Sequence, residues 1–193
     1  MSDSGSNIAP PRAVVLCGGK GTRLRPYTTV LPKPLMPIGD RPILEILLHR
    51  LHACGIRRVT LCVGHLAELI EAFFGKGEKF GLEIAYSMED KPLGTIGPLA
   101  FVEDLGEDFL VMNGDVLTDL DPMALYGEHL KRGGDLTIAT YQRRVDVDFG
   151  VVSVDDHSSE ITGFVEKPTH RYEVSMGVYA MNRRVLEHFA HGE

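Results

Sequence analysis

A glycine-rich, basic segment near the start of the chain contains the residues best suited to chemistry. Residues 18–25 read GGKGTRLR and directly follow a short apolar run at 13–17. Glycines let backbone N–H groups approach a phosphate closely and accept positive φ angles. The carboxyl end of a first parallel strand is also where open α/β sheets bind ligands. Residue type and position therefore both predict a phosphate-binding loop.

The charge around this loop supports the same interpretation. Residues 12–41 hold six basic side chains and one acidic side chain, a local charge of +5, whereas the chain has 20 basic and 27 acidic residues and a net charge of −7. A glycine pair alone fits a tight turn between solvated charges equally well. The concentration of positive charge favours an anionic ligand, and the basic residues are Arg12, Lys20, Arg23, Arg25, Lys33 and Arg41.

The loop differs from two common nucleotide-binding motifs. Lys20 is followed by Gly21, so the segment is not the G-x-x-x-x-G-K-[ST] motif of P-loop enzymes. Leu24 stands where a third glycine would complete G-x-G-x-x-G, and several prolines downstream disfavour a helix. These differences argue against a nicotinamide dehydrogenase and against a P-loop enzyme.

Short apolar runs alternate with helix-period segments over the first two thirds of the chain. Buried strands are predicted at 13–17, 59–63, 82–86 and 109–112, and helices at 42–54, 65–74 and about 97–103. This alternation predicts an α/β fold with a parallel sheet covered by helices on both faces. The glycine-rich loop would then follow the first strand of that sheet.

The pattern changes after Asp121. A helix at 124–131 precedes strands predicted at 136–141, 150–154, 161–165 and 174–181, which should extend the first sheet as antiparallel or mixed strands. Residues 12–193 are predicted to form a single domain, preceded by a loose arm at 1–11. Residues 183–193 resemble a helix cut short, so we expect the natural chain to continue.

Composition excludes several classes of protein. The chain has 193 residues, of which 44% are hydrophobic and 24% charged, as expected of an ordinary globular domain. Its acidic balance argues against a general nucleic-acid binder. The sequence has neither a bilayer-spanning apolar run nor a secretory signal, so no membrane association and a cytoplasmic location are expected. Three cysteines, Cys17, Cys54 and Cys62, are predicted to be reduced and buried.

Six motifs, in a fixed order, resemble the sugar-1-phosphate nucleotidyltransferases, also called nucleotide-sugar pyrophosphorylases. They cover roughly residues 13–181 and comprise GGKGTRLRPYTTVLPKPLMPIGDRPILE at 18–45, LGTIGPL at 93–99, NGD at 113–115, FGVV at 149–152, FVEKP at 164–168 and GVY at 177–179. The resemblance implies a Rossmann-like core with added antiparallel or mixed strands. It also implies Mg²⁺-dependent joining of an NTP to a sugar 1-phosphate, giving an NDP-sugar and pyrophosphate.

The resemblance assigns residues to the nucleotide. Arg23 and Lys33 match positions that hold the triphosphate and neutralise charge as pyrophosphate leaves. The LGTxGPL form at 93–99 is most similar to enzymes of the mannose-1-phosphate guanylyltransferase type, which is a weak indication of guanine. The nucleotide-binding residues implied are Gly18, Gly19, Gly21, Thr22, Arg23, Gly94, Thr95, Asn113 and Gly114.

The resemblance also assigns a metal ligand and a sugar-phosphate site. Asp115 matches the Mg²⁺-binding aspartate, although a turn-capping Asp is the alternative, and Asp119 and Asp121 are expected to be surface or helix-cap residues. Lys167 would grip the sugar phosphate and act with Arg23, Lys33 and Asp115 in catalysis. Glu166 would accept hydrogen bonds from the sugar, while Gly150 and Gly177 would let backbone approach it. A second metal-binding Asp of the family would come from a later segment, which this sequence lacks.

Alternatives remain at this stage. The same scaffold could use another NTP or a phosphoalcohol acceptor such as phosphocholine. A non-catalytic regulatory subunit that binds nucleotide-sugars is a rival from another class, although Arg23, Lys33, Asp115 and Lys167 are all present. Association with copies of itself is left open.

Overall fold

The computed structural model describes residues 8–19, 21–89, 94 and 96–188. Its backbone separates into two compact units, one formed by residues up to 138 together with those from 177 onward, and the other by residues 139–176. The single domain predicted over 12–193 stays a prediction. Lys20, Thr95 and most of the predicted N-terminal arm lie outside the described residues.

The first unit is built around a six-stranded sheet with the order β5-β4-β1-β6-β10-β7. Strands β4, β1 and β6 are parallel neighbours, β5 is parallel to β4, and β10 is antiparallel to β6. The α/β class and the mostly parallel sheet predicted from the sequence are therefore confirmed. The bounds are β1 Ala13–Leu16, β4 Arg58–Val63, β5 Glu83–Met88, β6 Asp108–Asn113, β7 Leu136–Asp146 and β10 Thr169–Asn182.

The central strands β4, β1 and β6 are buried on both faces of the sheet. Val14 and Val15 are each 0% exposed, and successive residues of a strand point to opposite faces. One face packs against a cluster that includes Leu99, Phe109 and Val185. Burial on both faces explains why the strands read as continuous apolar runs in the sequence.

The described residues form three α-helices beside the sheet, and the ends of α3 Pro122–Arg132 follow local chemistry. The helix α3 begins at Pro122, after Asp121, whose carboxylate accepts a hydrogen bond from the Met123 N–H at 2.9 Å. It ends at Gly133, which has a φ of 64°. Asp121 is thus the helix cap that the sequence predicted. The bounds are α1 Ile43–Ala53, α2 Ala67–Phe74 and α3 Pro122–Arg132.

The segment predicted as a helix at about 97–103 is a 3₁₀ helix, Gly97–Phe101. Its bonds span three residues, since the Leu99 N–H bonds to the Ile96 carbonyl and the Val102 N–H to the Leu99 carbonyl. Gly97 and Pro98 at its start are poor formers of a regular α-helix, and the segment is short. Within the segment predicted as a helix at 183–193, the described residues form another 3₁₀ helix, Arg183–His188.

The second unit corrects one prediction about the later strands. Strands β8 Val151–Val154 and β9 Ile161–Val165 do not join the large sheet but pair with each other in a separate antiparallel pair. They are joined by a turn in which the Asp155 carboxylate accepts bonds from the N–H groups of His157 and Ser158. A turn this short favours local pairing of the two strands. The pair β2 Pro37–Ile38 and β3 Arg41–Pro42 forms another small ribbon in the first unit.

Two further expectations can be compared with the structure. The three thiols are free, and Cys17 and Cys62 are buried as predicted, whereas Cys54 at the end of α1 is only partly buried. Over the described part of the chain, no helix is both long and apolar enough to cross a bilayer.

Candidate nucleotide-binding cleft

A cleft of about 510 Å³ lies at the carboxyl ends of β1 and β6. The two strands are hydrogen-bonded neighbours, and the Gly114 N–H donates to the Leu16 carbonyl at 2.9 Å. The loop after β1 and the Asn113-Gly114-Asp115 segment after β6 are therefore brought together. Predicted residues that line the cleft are Gly18, Gly19, Gly21, Thr22, Lys33, Gly94, Asn113, Gly114 and Asp115.

The glycine-rich loop requires glycine at its tightest points. Gly19 and Gly21 have φ angles of 102° and 53°, which L-amino acids with side chains rarely adopt. The Thr28 hydroxyl donates to the Gly21 carbonyl at 2.9 Å and so fixes the loop from behind. Of Arg23, the structure describes only the backbone, in the 3₁₀ helix Thr22–Leu24, so its predicted role is untested.

Close packing also explains Gly114 at the floor of the cleft. A methyl group added there would lie 3.0 Å from the Cys17 sulfur and 3.1 Å from the Leu16 carbonyl oxygen. Even an alanine here would therefore require its neighbours at the end of β1 to shift by a few tenths of an ångström. Gly177, with a φ of 72°, is packed against the same motif, because an added methyl group would lie 2.5 Å from Asn113 Nδ2.

Lys33 and Asp115 form an ion pair within the cleft, between Lys33 Nζ and Asp115 Oδ2. Their side chains are 40% and 32% exposed, so both remain open to solvent and to a ligand. The sequence predicted each residue separately as part of a nucleotide site. It did not predict their pairing, since 82 positions separate them in the chain.

Asp115 fits one part of a magnesium site. Mg²⁺ is commonly held by one or two carboxylates together with substrate phosphates and water. In the ranges that the structure describes, no group of three or more His, Cys, Asp or Glu side chains is arranged to hold a metal. The described residues therefore do not form a complete metal site, and Asp115 would need substrate phosphates and water as further ligands.

Glu89 lines the cleft as well, and the sequence analysis missed it. It follows β5, and a methyl group added at Gly18 would lie 3.2 Å from its Oε1. The signal was present, because Glu89 follows the carboxyl end of a predicted strand just as Asp115 does. It was overlooked because it falls between motifs.

Arg12 requires a correction to the charge count. It precedes β1, at the opposite end of that strand from the cleft, and is 8% exposed. Its guanidinium donates to the Asp104 carboxylate at 3.1 Å and to the Thr60 hydroxyl at 3.0 Å. Arg12 therefore stabilises the far end of the sheet and does not contribute to the basic loop.

Cys17 lies directly beneath the loop but does not offer a nucleophile. Burial raises the pKa of its thiol, and the nearby Cys62 and Asp115 raise it further. Since the thiolate is the reactive form, this thiol stays inert at neutral pH. Among the residues that the structure describes, the lining of the cleft thus has glycine-rich backbone, one cationic side chain and two carboxylates, and its buried thiol is not reactive.

The second unit contains three of the predicted sugar-phosphate residues. Glu166 and Lys167 directly follow β9 and are exposed, and Lys167 has a φ of 46°. Gly150 lies against the ring of Phe164, and a methyl group added to it would also lie 3.1 Å from Glu166 Oε2. Left-handed backbone in a residue other than glycine is costly and is concentrated at functional sites.

Comparison with known proteins gives consistent matches. Residues 12–193 match the nucleotidyl transferase family. A UTP–glucose-1-phosphate uridylyltransferase of Synechocystis is 35% identical over 94% of this chain and 52% of its own length. A mannose-1-phosphate guanylyltransferase of Mycobacterium tuberculosis is 38% identical over 93% of this chain and 51% of its own length. The chain therefore spans about half the length of these curated relatives.

The fold also matches a solved structure. A crystal structure of a glucose-1-phosphate thymidylyltransferase from Bacillus anthracis, described in its title as putative, superposes with a TM-score of 0.74 at 25% identity. The match covers 94% of this chain and 75% of that chain. The Rossmann-like arrangement of the sheet, predicted from the sequence, is therefore confirmed.

Proposed function

This chain belongs to the nucleotidyl transferase family, and on that premise we propose that it transfers a nucleotidyl group from an NTP to a sugar 1-phosphate. The products are an NDP-sugar and pyrophosphate. The observation that supports this most strongly is the cleft in which the glycine-rich loop, Lys33 and Asp115 lie together. The glycine-rich loop can offer backbone N–H groups to phosphate oxygens, Lys33 offers a positive charge, and Asp115 offers an oxygen ligand for Mg²⁺. Together these groups suit the binding of a triphosphate.

The proposed reaction is a single displacement. A phosphate oxygen of the sugar 1-phosphate attacks the α-phosphorus of the NTP, and the bond from that phosphorus to the bridging oxygen breaks as pyrophosphate leaves. A phosphate monoester is already ionised at neutral pH, so no strong base is needed. The protein has to align the two phosphates and neutralise their charge.

The chain's own groups would supply alignment on the nucleotide side. Backbone N–H groups at Gly19 and Gly21 would face the phosphates, and Lys33, with Arg23, would offset the negative charge that grows on the leaving pyrophosphate. Asp115 would be the protein's ligand for Mg²⁺. When bound, that ion would act as a Lewis acid that offsets the negative charge of the phosphates.

The sugar phosphate is assigned to Lys167, Glu166, Gly150 and Gly177 by resemblance to the family. The left-handed backbone at Lys167 supports this assignment, because such a conformation persists only where the surroundings enforce it. Gly177, with its positive φ, packs closely against Asn113 at the cleft, where a side chain would displace that residue.

Glu89 supports guanine over uracil and thymine. A carboxylate can only accept hydrogen bonds, and guanine presents two neighbouring donors, its N1–H and N2–H groups. Uracil and thymine instead present one N–H between two carbonyl oxygens, which a carboxylate would repel. Guanylyl transfer to a mannose-type sugar 1-phosphate is therefore our preferred form of the reaction. A cytoplasmic location and self-association remain predictions.

A substrate panel tests the proposal. Each of GTP, UTP, CTP, dTTP and ATP is combined with mannose 1-phosphate, glucose 1-phosphate or phosphocholine, in the presence of Mg²⁺, and pyrophosphate is measured by a coupled assay. We expect the highest rate with GTP and mannose 1-phosphate. Release with phosphocholine alone would indicate the other acceptor class, and nucleotide binding without release from any pair would indicate a non-catalytic subunit.

A further inference from the structure

The Lys33–Asp115 ion pair places a protein cation on the carboxylate that we assign to the metal. Lys33 Nζ contacts Asp115 Oδ2 directly. A divalent cation that bound Asp115 through this oxygen would meet the ammonium group at the same position. Like charges at such a distance repel, so the two cations cannot occupy this carboxylate oxygen together.

The rest of the cleft offers little to a metal that arrives alone. The described residues contain no group of three or more His, Cys, Asp or Glu side chains that could form a coordination shell. Mg²⁺ gives up its water reluctantly and needs several oxygen ligands. Asp115, already neutralised by Lys33, is a poor ligand for the bare ion.

Lys33 can leave Asp115 without any movement of the main chain. Its backbone is held in the 3₁₀ helix Lys33–Leu35, in which Pro34 and Leu35 are buried and the Met36 N–H bonds to the Lys33 carbonyl at 3.0 Å. Its Cβ lies 3.6 Å from the position of a methyl group added at Gly21. The flexible stem of lysine therefore starts beside the glycine-rich loop, and rotation can move the ammonium between Asp115 and phosphates bound at that loop.

We propose that Lys33 is an internal counter-ion of Asp115, which keeps this carboxylate closed to divalent cations until a nucleotide triphosphate draws the ammonium away. The inference rests on the proposed function for the identity of the nucleotide. Its consequence is that the cation binds with the nucleotide and not before it. Because both side chains are partly exposed, the pair is weak enough for a polyphosphate to break it.

Binding of Mn²⁺ alone, measured by the electron paramagnetic resonance signal of the free ion, tests the proposal without nucleotide and without turnover. The variant Lys33→Met removes the ammonium and keeps the length of the side chain. We expect it to bind Mn²⁺ roughly tenfold more tightly than the wild type, as loss of one neighbouring positive charge predicts. Equal or weaker binding by Lys33→Met would overturn the proposal.

Arg25→Met is the matched control. It removes one positive charge from the same loop, and Arg25 is exposed and is not among the ion-pair partners of Asp115 in the described part of the chain. We expect its Mn²⁺ affinity to stay within about twofold of the wild type, because exposed charges further away are screened. A gain equal to that of Lys33→Met would mean that the general charge of the loop, and not the contact with Asp115, controls metal access.

A double-mutant cycle identifies the carboxylate involved. In the wild-type background Asp115→Asn should change nucleotide-free Mn²⁺ affinity by less than about twofold, whereas in the Lys33→Met background it should abolish the tenfold gain. A large loss from Asp115→Asn in the wild type would show that Asp115 is already open to the cation, and would overturn the proposal even if Lys33→Met failed to fold. Circular dichroism checks the fold of each variant.

A last arm adds a non-hydrolysable GTP analogue. Because the analogue's phosphates bind Mn²⁺ themselves, the informative quantity is the ratio of the two affinities: the tenfold advantage of Lys33→Met should shrink to less than about twofold, and the wild-type affinity should rise, once Lys33 contacts phosphate. If the analogue binds and the tenfold advantage persists, the counter-ion role is wrong. Failure of pyrophosphate release in the substrate panel, with the nucleotide-free results as expected, would instead reject only the proposed function.

Discussion

The Thr28 hydroxyl donates a hydrogen bond to the Gly21 carbonyl, and the methyl group of the same threonine fills the space where a Gly21 side chain would point. The hydrogen bond is 2.9 Å long. A methyl group added at Gly21 would lie 2.8 Å from Thr28 Cγ2. Thr28 is 3% exposed, so it cannot move aside easily. One residue thus holds the loop and excludes a side chain from it.

Gly21→Ala should therefore lower the free energy of unfolding more than an equivalent change in open space. We expect a loss of about 2 kcal/mol, from the left-handed backbone and from the overlap with Thr28. Gly39→Ala is the control, since Gly39 has a φ of 64° but no described atom within 4 Å of an added methyl group. It should cost about 1 kcal/mol. Urea denaturation measures both, and equal losses would contradict the role of Thr28.

Thr28→Ser provides a second check on the same contact. Serine keeps the hydroxyl and lacks the methyl group, so in combination with Gly21→Ala it should recover the share of the loss that comes from overlap, about 1 kcal/mol. The share that comes from the φ angle should remain. A double variant no more stable than Gly21→Ala would mean that the overlap is relieved in another way.

Asp115→Asn should lower the rate of pyrophosphate release by about a hundredfold or more, because a preorganised electrostatic contact of this kind contributes about 3 kcal/mol to transition-state stabilisation. The fold should be unchanged by circular dichroism, since Asp115 is partly exposed. Asp119→Asn is a control at an exposed Asp on the same loop, and should retain full activity. Wild-type turnover by Asp115→Asn would discard the metal assignment.

Lys167 allows charge and backbone strain to be separated. Lys167→Ala and Lys167→Gly both remove the ammonium, so both should lower turnover by about a hundredfold. Only glycine accepts the φ of 46° without strain, so Lys167→Gly should be about 1 kcal/mol more stable than Lys167→Ala. Steady-state kinetics and urea denaturation of the two variants measure these effects. If the alanine variant keeps its activity and the glycine variant loses it, backbone geometry rather than charge is what matters.

His129 is predicted to be structural. It is 1% exposed, and its ring nitrogens lie 2.9 Å from the Thr137 hydroxyl and 3.2 Å from the Asp108 carboxylate. Asn182 Nδ2 donates to the same carboxylate oxygen at 2.8 Å. His129→Ala should cost about 3 kcal/mol in the free energy of unfolding, because it leaves a cavity and removes two hydrogen bonds.

Two comparisons test that assignment. His49→Ala, at a side chain that is 46% exposed, should change stability by less than about 0.5 kcal/mol. Folded His129→Ala should turn over at the wild-type rate. His129 contacts Asp108 at the start of β6, whereas Asp115 lies just beyond the other end of that strand. A loss of turnover without a loss of stability would point to a role in the reaction.

The buried thiols predict a dependence of stability on pH. Burial raises the pKa of Cys62 to about 12, with Glu89 adding to the effect, and burial also raises the pKa of Cys17. The folded state therefore favours the neutral thiol. This stabilisation is complete below the unfolded pKa of about 8.5 and is lost as the pH rises from there toward 12. The urea midpoint should fall between pH 8 and pH 10, and less so in Cys17→Ala/Cys62→Ala.

Thiol labelling checks the same assignment at one pH. With an aromatic disulfide reagent at pH 8, native protein should react at Cys54, which is partly exposed, while Cys17 and Cys62 should react only after unfolding. Rapid reaction of all three thiols in the native protein would show that the floor of the cleft opens readily.

The central sheet could be predicted from the sequence because its strands are buried on both faces. The apolar run predicted at 13–17, for example, contains no polar residue, so it is not mistaken for a loop. The long strands β7 and β10 were predicted too short, since most of their additional residues, such as Arg144 and His170, are exposed and polar. Exposed ribbons lack the apolar signal on which the prediction depends.

The site was predicted as single residues rather than as contacts. Lys33 and Asp115 were both identified, but pairing across 82 positions depends on the sheet order, which a lone sequence does not fix. Arg12 was counted with the basic loop because it is near in sequence. A four-residue strand moves the chain by about 13 Å, which is enough to place Arg12 at the other end of the sheet.

Glu89 and the groups assigned to phosphate follow different strands, and this affects how the specificity for the base can change. The groups assigned to phosphate follow the central strands β1 and β6, whereas Glu89 follows the edge strand β5. An exchange at Glu89 can alter the preferred base while the distance between the glycine-rich loop and Asp115 stays set by the central pair. On the proposed function, the same phosphate-binding loops after β1 and β6 can thus serve several nucleotides. Selectivity for the base can be changed at Glu89 without altering those loops.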